Sequence, residues 1–389
     1  MEEVDCRRIA VSLWSSFPKT HMRRLIQAEG LSCMTTAYLN RIATAVPEHD
    51  VHDAFAVFAE TMLTDPRLRT VFRRMVSRAN IAHRYSFLDP QKGSGQFSSH
   101  DAHDFYRPGN FPNTARRMEL FEQNAPVLMR KAVDRLALDE KERSGITHVL
   151  VTCCTGLYAP GLDFEIVDHL GLSPGVERTM VGFMGCYAAI NALKLARHIV
   201  RSDPKAAVLM VNLELCTLHF QETQELEQVL SFLVFADGAA ASLITAHEHG
   251  FALDSFKAVM VPESRGLITW KIRGLGFDML LSGQVPAELG RALHEGELIA
   301  ERNGRDGIDL WAVHPGGRSI LDAVEKALEL PADALAASRD VLSRFGNMSS
   351  ATVMFVLQRI MQQARPGQRG CAMSFGPGLT AETMRFHAV

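Results

Sequence analysis

Two periods alternate along most of this chain: short unbroken apolar runs, and stretches in which apolar residues return every three or four positions. The first period marks strands buried on both faces, the second marks helices with one covered side. Residues 1–36 have mixed polarity and read as an N-terminal extension ahead of a strand-like run, Ala37 to Ala45. Ala54 to Arg84 is rich in arginine and predicts a helix. Residues 86–115 are polar and carry Gly93, Gly95, Gly109, Pro90, Pro108 and Pro112, so they read as loop and turns.

From about residue 145 strands and helices alternate regularly. Thr147 to Thr152 is a short strand-like run, followed by turns around Gly156, Pro160 and Gly161 and by a helical stretch, Phe164 to Leu170. Thr179 to Phe183 forms a second run and leads into Gly185-Cys186. Beyond Cys186, the spacing of Ile190, Leu193, Ala196 and Val200 predicts a helix. Asp203-Pro204 ends it, because a residue before proline avoids the helical region. Ala206 to Leu215 is then a largely apolar strand.

The C-terminal third repeats the style. A strand from Asp309 to Val313 runs into His314-Pro315-Gly316-Gly317, and Ser319 begins a helix through Ile320, Val324 and Leu328 that stops before Pro331. Phe345-Gly346-Asn347 opens another helix, with Val353, Val356, Leu357 and Ile360 on one side. Gly370 to Phe375 reads as the last strand, closed by Gly376-Pro377-Gly378. Such alternation predicts an α/β protein with covered sheets.

Composition narrows the function classes. With 389 residues the chain has room for two similar halves, and a net charge of −3 supplies no overall attraction to nucleic acid or an anionic membrane. No apolar run approaches the ~18 residues that span a bilayer, and the acidic start is a poor secretory signal. Seven cysteines, an odd and scattered set without a C-x-x-C pair, argue against a disulfide framework or zinc site and for a reducing, cytoplasmic setting.

Three polar residues sit beside glycine-marked turns or helix starts: Cys186, His314 and Asn347. A cysteine at a helix N-terminus meets unpaired N–H groups that favour the thiolate. A histidine can act as its acid–base partner, and an asparagine amide can donate to an oxyanion. Read one by one, a cysteine in such a place is more often a small buried thiol and a histidine more often a turn residue, and the asparagine is a plausible N-cap. The local sequence around all three separates these readings.

Four segments resemble the type III polyketide synthases, the chalcone synthase family. They are Gly182-Phe183-Met184-Gly185-Cys186, Trp311-Ala312-Val313-His314-Pro315-Gly316-Gly317, Phe345-Gly346-Asn347-Met348-Ser349-Ser350-Ala351, and Phe375-Gly376-Pro377-Gly378-Leu379-Thr380. The resemblance runs from about Ala37 to the C-terminus. It implies a thiolase fold: two related α/β halves, residues 37–247 with the cysteine and 248–389 with the histidine and asparagine, in a layered αβαβα arrangement that forms a homodimer.

It further implies a cycle in which Cys186 takes an acyl group from an acyl-CoA starter and malonyl-CoA loses CO₂. His314 and Asn347 stabilise the resulting enolate, which attacks the bound thioester; repeated extension ends in cyclisation to a pyrone or phenolic product. No metal or redox cofactor is implied. Phe235 matches the family's aromatic gatekeeper and Ser349 a cavity serine, while Asp237 beside Phe235 reads as a structural hydrogen-bond acceptor. Arg74 and Arg78, one helical turn apart, match basic residues for the CoA phosphates, although a third such position is Val71 here. His219, Trp270, Met279 and Cys154 fall at cavity positions where chalcone synthase has a threonine, a glycine, a phenylalanine and a threonine. Ala159 replaces a methionine that crosses the plant dimer interface. These departures speak against a coumaroyl starter.

Two other classes compete. A ketoacyl synthase of the same fold would perform one condensation with an acyl carrier protein. A papain-like cysteine protease shares the order Cys, His, Asn, and 314 − 186 = 128 approaches that family's ~130-residue separation. Its C-G-S-C-W type signature is missing here. A non-catalytic binding protein on the fold would have little reason to retain all three polar residues.

Overall fold

The computed structural model describes residues 35–90, 105–295 and 307–389. Most of the N-terminal extension, residues 1–34, and the loop portion 91–104 lie outside the described residues. In the N-terminal half, β1 (Tyr38–Ala45) and the short β2 (His49–Asp50) precede two helices, α1 (His52–Met62) and α2 (Pro66–Arg78). The single helix expected over 54–84 is broken because Asp65 caps α2, accepting from the Arg67 N–H at 2.7 Å, and Pro66 occupies the first turn. A short β3 (Tyr85–Ser86) follows, then α3 (Thr114–Arg135), α4 (Glu140–Ser144), β4 (His148–Cys153), α5 (Leu162–Leu170) and β5 (Glu177–Gly182). The half closes with α6 (Ala188–Ser202), β6 (Val208–Leu215), α7 (Leu226–Val234) and β7 (Asp237–Thr245).

The second half begins with β8 (Phe251–Met260) and a hairpin of β9 (Ile268–Arg273) and β10 (Gly276–Leu281), then α8 (Val285–His294) and β11 (Leu310–Val313). It continues through α9 (Arg318–Ala327), α10 (Ala336–Phe345), α11 (Thr352–Met361), β12 (Arg369–Gly376) and β13 (Thr380–Ala388). Gly370–Phe375 is therefore not the last strand. Gly376-Pro377-Gly378 forms a turn that returns the chain as β13, antiparallel to β12.

The strand order β11-β12-β13-β8-β1-β7-β6-β4-β5 contains the same motif twice. A parallel pair (β4 with β6, β11 with β12) is extended by two antiparallel steps, through β7 to β1 and through β13 to β8. The halves meet edge to edge where Tyr38 and Leu39 of β1 pair with Ala252 and Phe251 of β8.

Alternation of side chains along these strands builds the layers. In β6, Leu209, Val211 and Leu213 face an outer core with α1, α3 and α7, while Val208 and Met210 face a central core. In β12, Ala372 faces the same central core, and Cys371, Met373 and Phe375 face a third core with α8 and α9. Helices α6 and α11 fill the centre through Ile190, Leu193, Val200, Val356 and Ile360. The result is the five-layer α/β arrangement of a thiolase-like fold. Burial on both faces explains why all eight residues of β6 are buried and why the strand reads as an apolar run.

Candidate active site

The site lies where the parallel strands end. The chain leaves β5 through a 3-10 turn, Gly185–Tyr187, that carries Cys186 into α6. His314 follows β11 directly, its backbone held by donation from its N–H to the Met373 carbonyl at 2.8 Å. Ligand sites at strand C-termini are the rule in such sheets, because the loops there are free to diverge while the sheet fixes their roots.

The turn at Cys186 is built by close approach. Gly185 has φ +73°, and a Cβ there would lie 2.3 Å from Pro377 Cδ. The closing Gly-Pro-Gly segment thus packs on the cysteine turn. The Gly185 N–H donates to Cys154 Sγ at 3.0 Å, so Cys154 supports the turn as well as lining the cavity. Cys154 is tied in turn to the buried Glu214, which accepts from the Cys154 N–H and the Thr155 and Ser350 hydroxyls at 2.6 to 2.9 Å. Burial raises the Glu214 carboxyl to about 7, against the pull of these hydrogen bonds.

Asn347 does not cap a helix as its position suggested. It pairs with the segment after α7, its N–H donating to the Val234 carbonyl at 2.7 Å and its carbonyl accepting from Ala236 N–H at 2.9 Å. The helix proper starts later, at Thr352. Asn347 Oδ1 accepts from the Ser349 N–H and the Thr352 hydroxyl, which orients the amide nitrogen toward the Gly316 carbonyl, 3.3 Å away. One amide hydrogen remains to serve the cavity. Ser349, at φ +46°, is held in the left-handed region, and its hydroxyl stands 3.7 Å from Cys186 Sγ. A non-glycine residue there costs roughly 1 kcal/mol or more, a strain typical of functional turns.

Cys186, His314, Asn347, Ser349, Cys154, Phe235, Trp270 and Met279 all line one cavity of about 500 Å³, largely apolar. His314 is 1% exposed, and neither ring nitrogen has a hydrogen-bond partner among the described residues. Burial pulls its imidazole down to about 3 and pushes the Cys186 thiol up to about 12, the latter opposed by Ser349 and Asn347. At neutral pH both groups are therefore uncharged, and burial makes the imidazole a weak base in this arrangement.

The remaining sequence-derived residues fall in two places. His219 stands behind the wall rather than on it. It is fully buried, bonded through Nε2 to the Thr155 carbonyl at 2.7 Å, and accepts from Phe277 N–H at Nδ1. Its ring stacks on Phe277 and meets Trp270 edge-on at 5.3 Å. Trp270 is the residue that faces the cavity, pinned by donation from Nε1 to the Cys154 carbonyl at 2.8 Å. Asp237 is a buried acceptor for the Thr217 N–H and hydroxyl. Arg74 and Arg78 lie exposed on α2 on either side of Met75, which lines the cavity mouth. Neither has an ion-pair partner among the described residues. Sequence reading missed Arg318, whose guanidinium donates to the Arg78 carbonyl at 3.1 Å and pairs through Nε with Asp322 at 3.3 Å. Its place directly after the His-Pro-Gly-Gly motif was the available signal.

Family models for the chalcone and stilbene synthases match residues 21–248 (N-terminal domain) and 252–389 (C-terminal domain). The chain belongs to this family, the type III polyketide synthases. It is 34% identical over 373 residues to the "alpha-pyrone synthesis polyketide synthase-like Pks18" of Mycobacterium tuberculosis, covering 91% of this chain and 92% of the relative. It is 32% identical over 395 residues to bisdemethoxycurcumin synthase of Oryza sativa subsp. japonica, covering 96% of each. The C-terminal type III polyketide synthase domain of Steely1 from Dictyostelium has the same fold, with a TM-score of 0.81 at 22% identity over 91% of this chain and 99% of that domain. As a type III polyketide synthase the chain is an acyl-transferring, decarboxylative condensing enzyme, of a family that uses acyl-CoA and malonyl-CoA. No helix among the described residues is long and apolar enough to cross a membrane.

Proposed function

We propose that the chain extends a starter acyl-CoA with malonyl units on Cys186 and releases a short polyketide as a pyrone or phenolic ring. The observation that carries this reading is the convergence of Cys186, the unpartnered His314 ring and the oriented Asn347 amide on one apolar cavity. The neutral imidazole takes the thiol proton as Sγ attacks the starter thioester, and returns it to the departing CoA sulfur. Malonyl-CoA then binds and loses CO₂. The enolate oxygen is met by the free Asn347 N–H and the single N–H of the neutral His314 ring, both in a largely apolar cavity where such donors count for more than in water. The enolate carbon attacks the Cys186 thioester, the carbon–sulfur bond breaks, and the extended chain reloads from CoA. These steps balance with thioesters alone, so neither a metal nor a redox cofactor enters the reading.

Phe235 serves as the gate between mouth and cavity. The cavity lets bound intermediates grow against Trp270, Met279 and Cys154. A homodimer fits β5, an edge strand of the sheet with Met180 exposed and Leu157 and Phe164 exposed nearby. The cytoplasm suits a site whose described cysteines are all free thiols. The test of function is incubation with malonyl-CoA and a panel of acyl-CoAs, followed by product mass analysis. Several extensions from free malonyl-CoA support the reading; activity only with a carrier-protein thioester, or a single extension throughout, overturns it in favour of a ketoacyl synthase.

Two smaller predictions follow from the mouth and the wall. Replacing both Arg74 and Arg78 by Ala raises the KM of every CoA substrate roughly tenfold and flattens its salt dependence, with kcat nearly unchanged. An unaltered KM makes them surface charges. Trp270→Gly enlarges the cavity and releases the Cys154 carbonyl, admitting bulkier starters or adding extensions while Cys186 still acylates. A folded variant with the wild-type product distribution removes Trp270 from the elongation wall.

A further inference from the structure

Arg84 is a cation in an improbable place. It is 1% exposed; its backbone N–H donates to Asp50 Oδ1 at 3.2 Å, but its guanidinium has no carboxylate within hydrogen-bond range and Nη2 has no partner among the described residues. Its Nη1 donates to the carbonyls of Phe235, at 2.7 Å, and Phe232, at 3.2 Å, while Nε donates to His52 Nδ1 at 3.1 Å. The guanidinium lies 4.5 Å from the Phe55 ring centroid. Burial draws it down to about 9, against the more distant Asp50 and Asp237, which leaves it charged at neutral pH. A lone buried charge is costly, so its surroundings must repay it.

What surrounds it is the C-terminus of α7. The last carbonyls of a helix lack partners within the helix and carry the negative end of its dipole. Here no glycine and no backbone turn closes α7; the chain leaves Val234 directly into extended backbone at Phe235. Arg84 supplies the missing donors. It therefore determines where α7 stops and where Phe235 turns toward the cavity. The same segment pairs on its other side with Asn347, through the Val234 carbonyl and the Ala236 N–H. Gly346 completes the clamp: at φ +69°, a Cβ there would lie 2.8 Å from Arg84 Cγ and 2.9 Å from the Val234 carbonyl oxygen. Arg84 thus touches the residue before Asn347 and the residue paired with it, without reaching the cavity itself.

We infer that Arg84 is a positioning residue that caps α7 and thereby sets the Phe235 gate and the Asn347 donor in register for decarboxylation and condensation. This rests on the proposed role of Asn347, but not on the identity of the starter. It gives Arg84 a specific consequence: starter loading on Cys186 depends on it little, whereas every step that needs the enolate depends on it strongly.

The test uses the full-length enzyme with Arg84→Lys, Arg84→Met and Arg84→Ala. A lysine ammonium near the Nη1 position can still donate to both carbonyls but lacks the second nitrogen that bonds His52. Expected results are Cys186 acylation within about threefold of wild type, and kcat for malonyl-CoA decarboxylation and chain extension down about 10²-fold in Arg84→Met, less in Arg84→Lys. The KM for malonyl-CoA changes less than threefold. Guanidinium chloride at millimolar concentration restores at least tenfold of the kcat lost in Arg84→Ala, and sodium chloride at equal ionic strength does not. The inference is overturned if a folded Arg84→Met keeps wild-type kcat. It is equally overturned if loading and extension fall together in all three variants with no guanidinium rescue, which makes Arg84 a fold residue only. If wild-type enzyme fails to decarboxylate malonyl-CoA, the proposed function itself fails, an outcome separate from both.

Discussion

Cys186→Ala yields no polyketide from any acyl-CoA, a loss on the order of 10⁴-fold or more in turnover, yet still releases CO₂ from malonyl-CoA. The argument is a division of labour in the cavity. Cys186 alone offers a sulfur at the start of α6, held by the Gly185–Pro377 contact and by Ser349. Cys153, Cys154 and Cys216 are buried thiols pushed up further or comparably by their surroundings, and Cys154 is occupied as an acceptor for Gly185 N–H. None can take over the acyl group from its own position. His314 and Asn347 remain in place in the variant, so an enolate can still form and is protonated to acetyl-CoA for want of an electrophile. Product formation above background in Cys186→Ala contradicts the assignment, as does loss of decarboxylation in a variant that melts like wild type.

Asn347→Ala and Asn347→Asp each lower malonyl-CoA decarboxylation by ~10²–10³, while starter loading on Cys186 persists. The pair of substitutions separates chemistry from scaffolding. Asn347 Oδ1 accepts from Ser349 N–H and the Thr352 hydroxyl, bonds that hold the loop into α11. Alanine removes these along with the donor. Aspartate keeps an oxygen in the same place, retains the loop, and replaces the donating N–H with a negative charge facing the enolate. If donation is the role, Asp is at least as damaging as Ala to rate and less damaging to melting temperature. A fast, well-folded Asn347→Asp variant rules out the amide as an enolate donor.

Local pattern revealed those parts of the fold whose neighbours are close in sequence or whose environment is uniform. In α6, Ile190, Leu193, Ala196 and Val200 are fully buried as their spacing required, because a helix shows its buried side every third or fourth residue. The β6 run was legible because six of its eight residues are apolar, as a strand covered on both faces requires; Asn212 and Glu214 are the buried polar exceptions. The break at Asp65-Pro66 was readable too, but an arginine-rich stretch of helical composition on both sides masked it.

The site was legible as motifs and not as geometry. Cys186, His314 and Asn347 were found from their glycine-marked neighbourhoods, and the structure brings them to one cavity. His219 was placed on the wall because aligned position does not say which way a ring points. Two hydrogen bonds turn it inward against Phe277, and Trp270 alone takes the exposed place. The pairing of Phe235 with Asn347 and the reach of Arg84 to Phe235 span 112 and 151 residues, the first from 347 − 235. No periodicity within a window records contacts of that range. Arg84 in particular closes the arginine-rich stretch Ala54 to Arg84, where nothing local sets it apart from its neighbouring arginines.

The central claim is that the acyl chain is built on Cys186, and peptide mapping after a short reaction tests it most directly. Enzyme is quenched in acid seconds after mixing with a starter acyl-CoA and isotopically labelled malonyl-CoA, digested, and searched for thioester adducts. Starter and extended, labelled chains are expected on the peptide containing Cys186 and on no other. Adducts confined to peptides carrying Cys153, Cys154 or Cys216, or labelled product accumulating while Cys186 stays a free thiol throughout, contradict it.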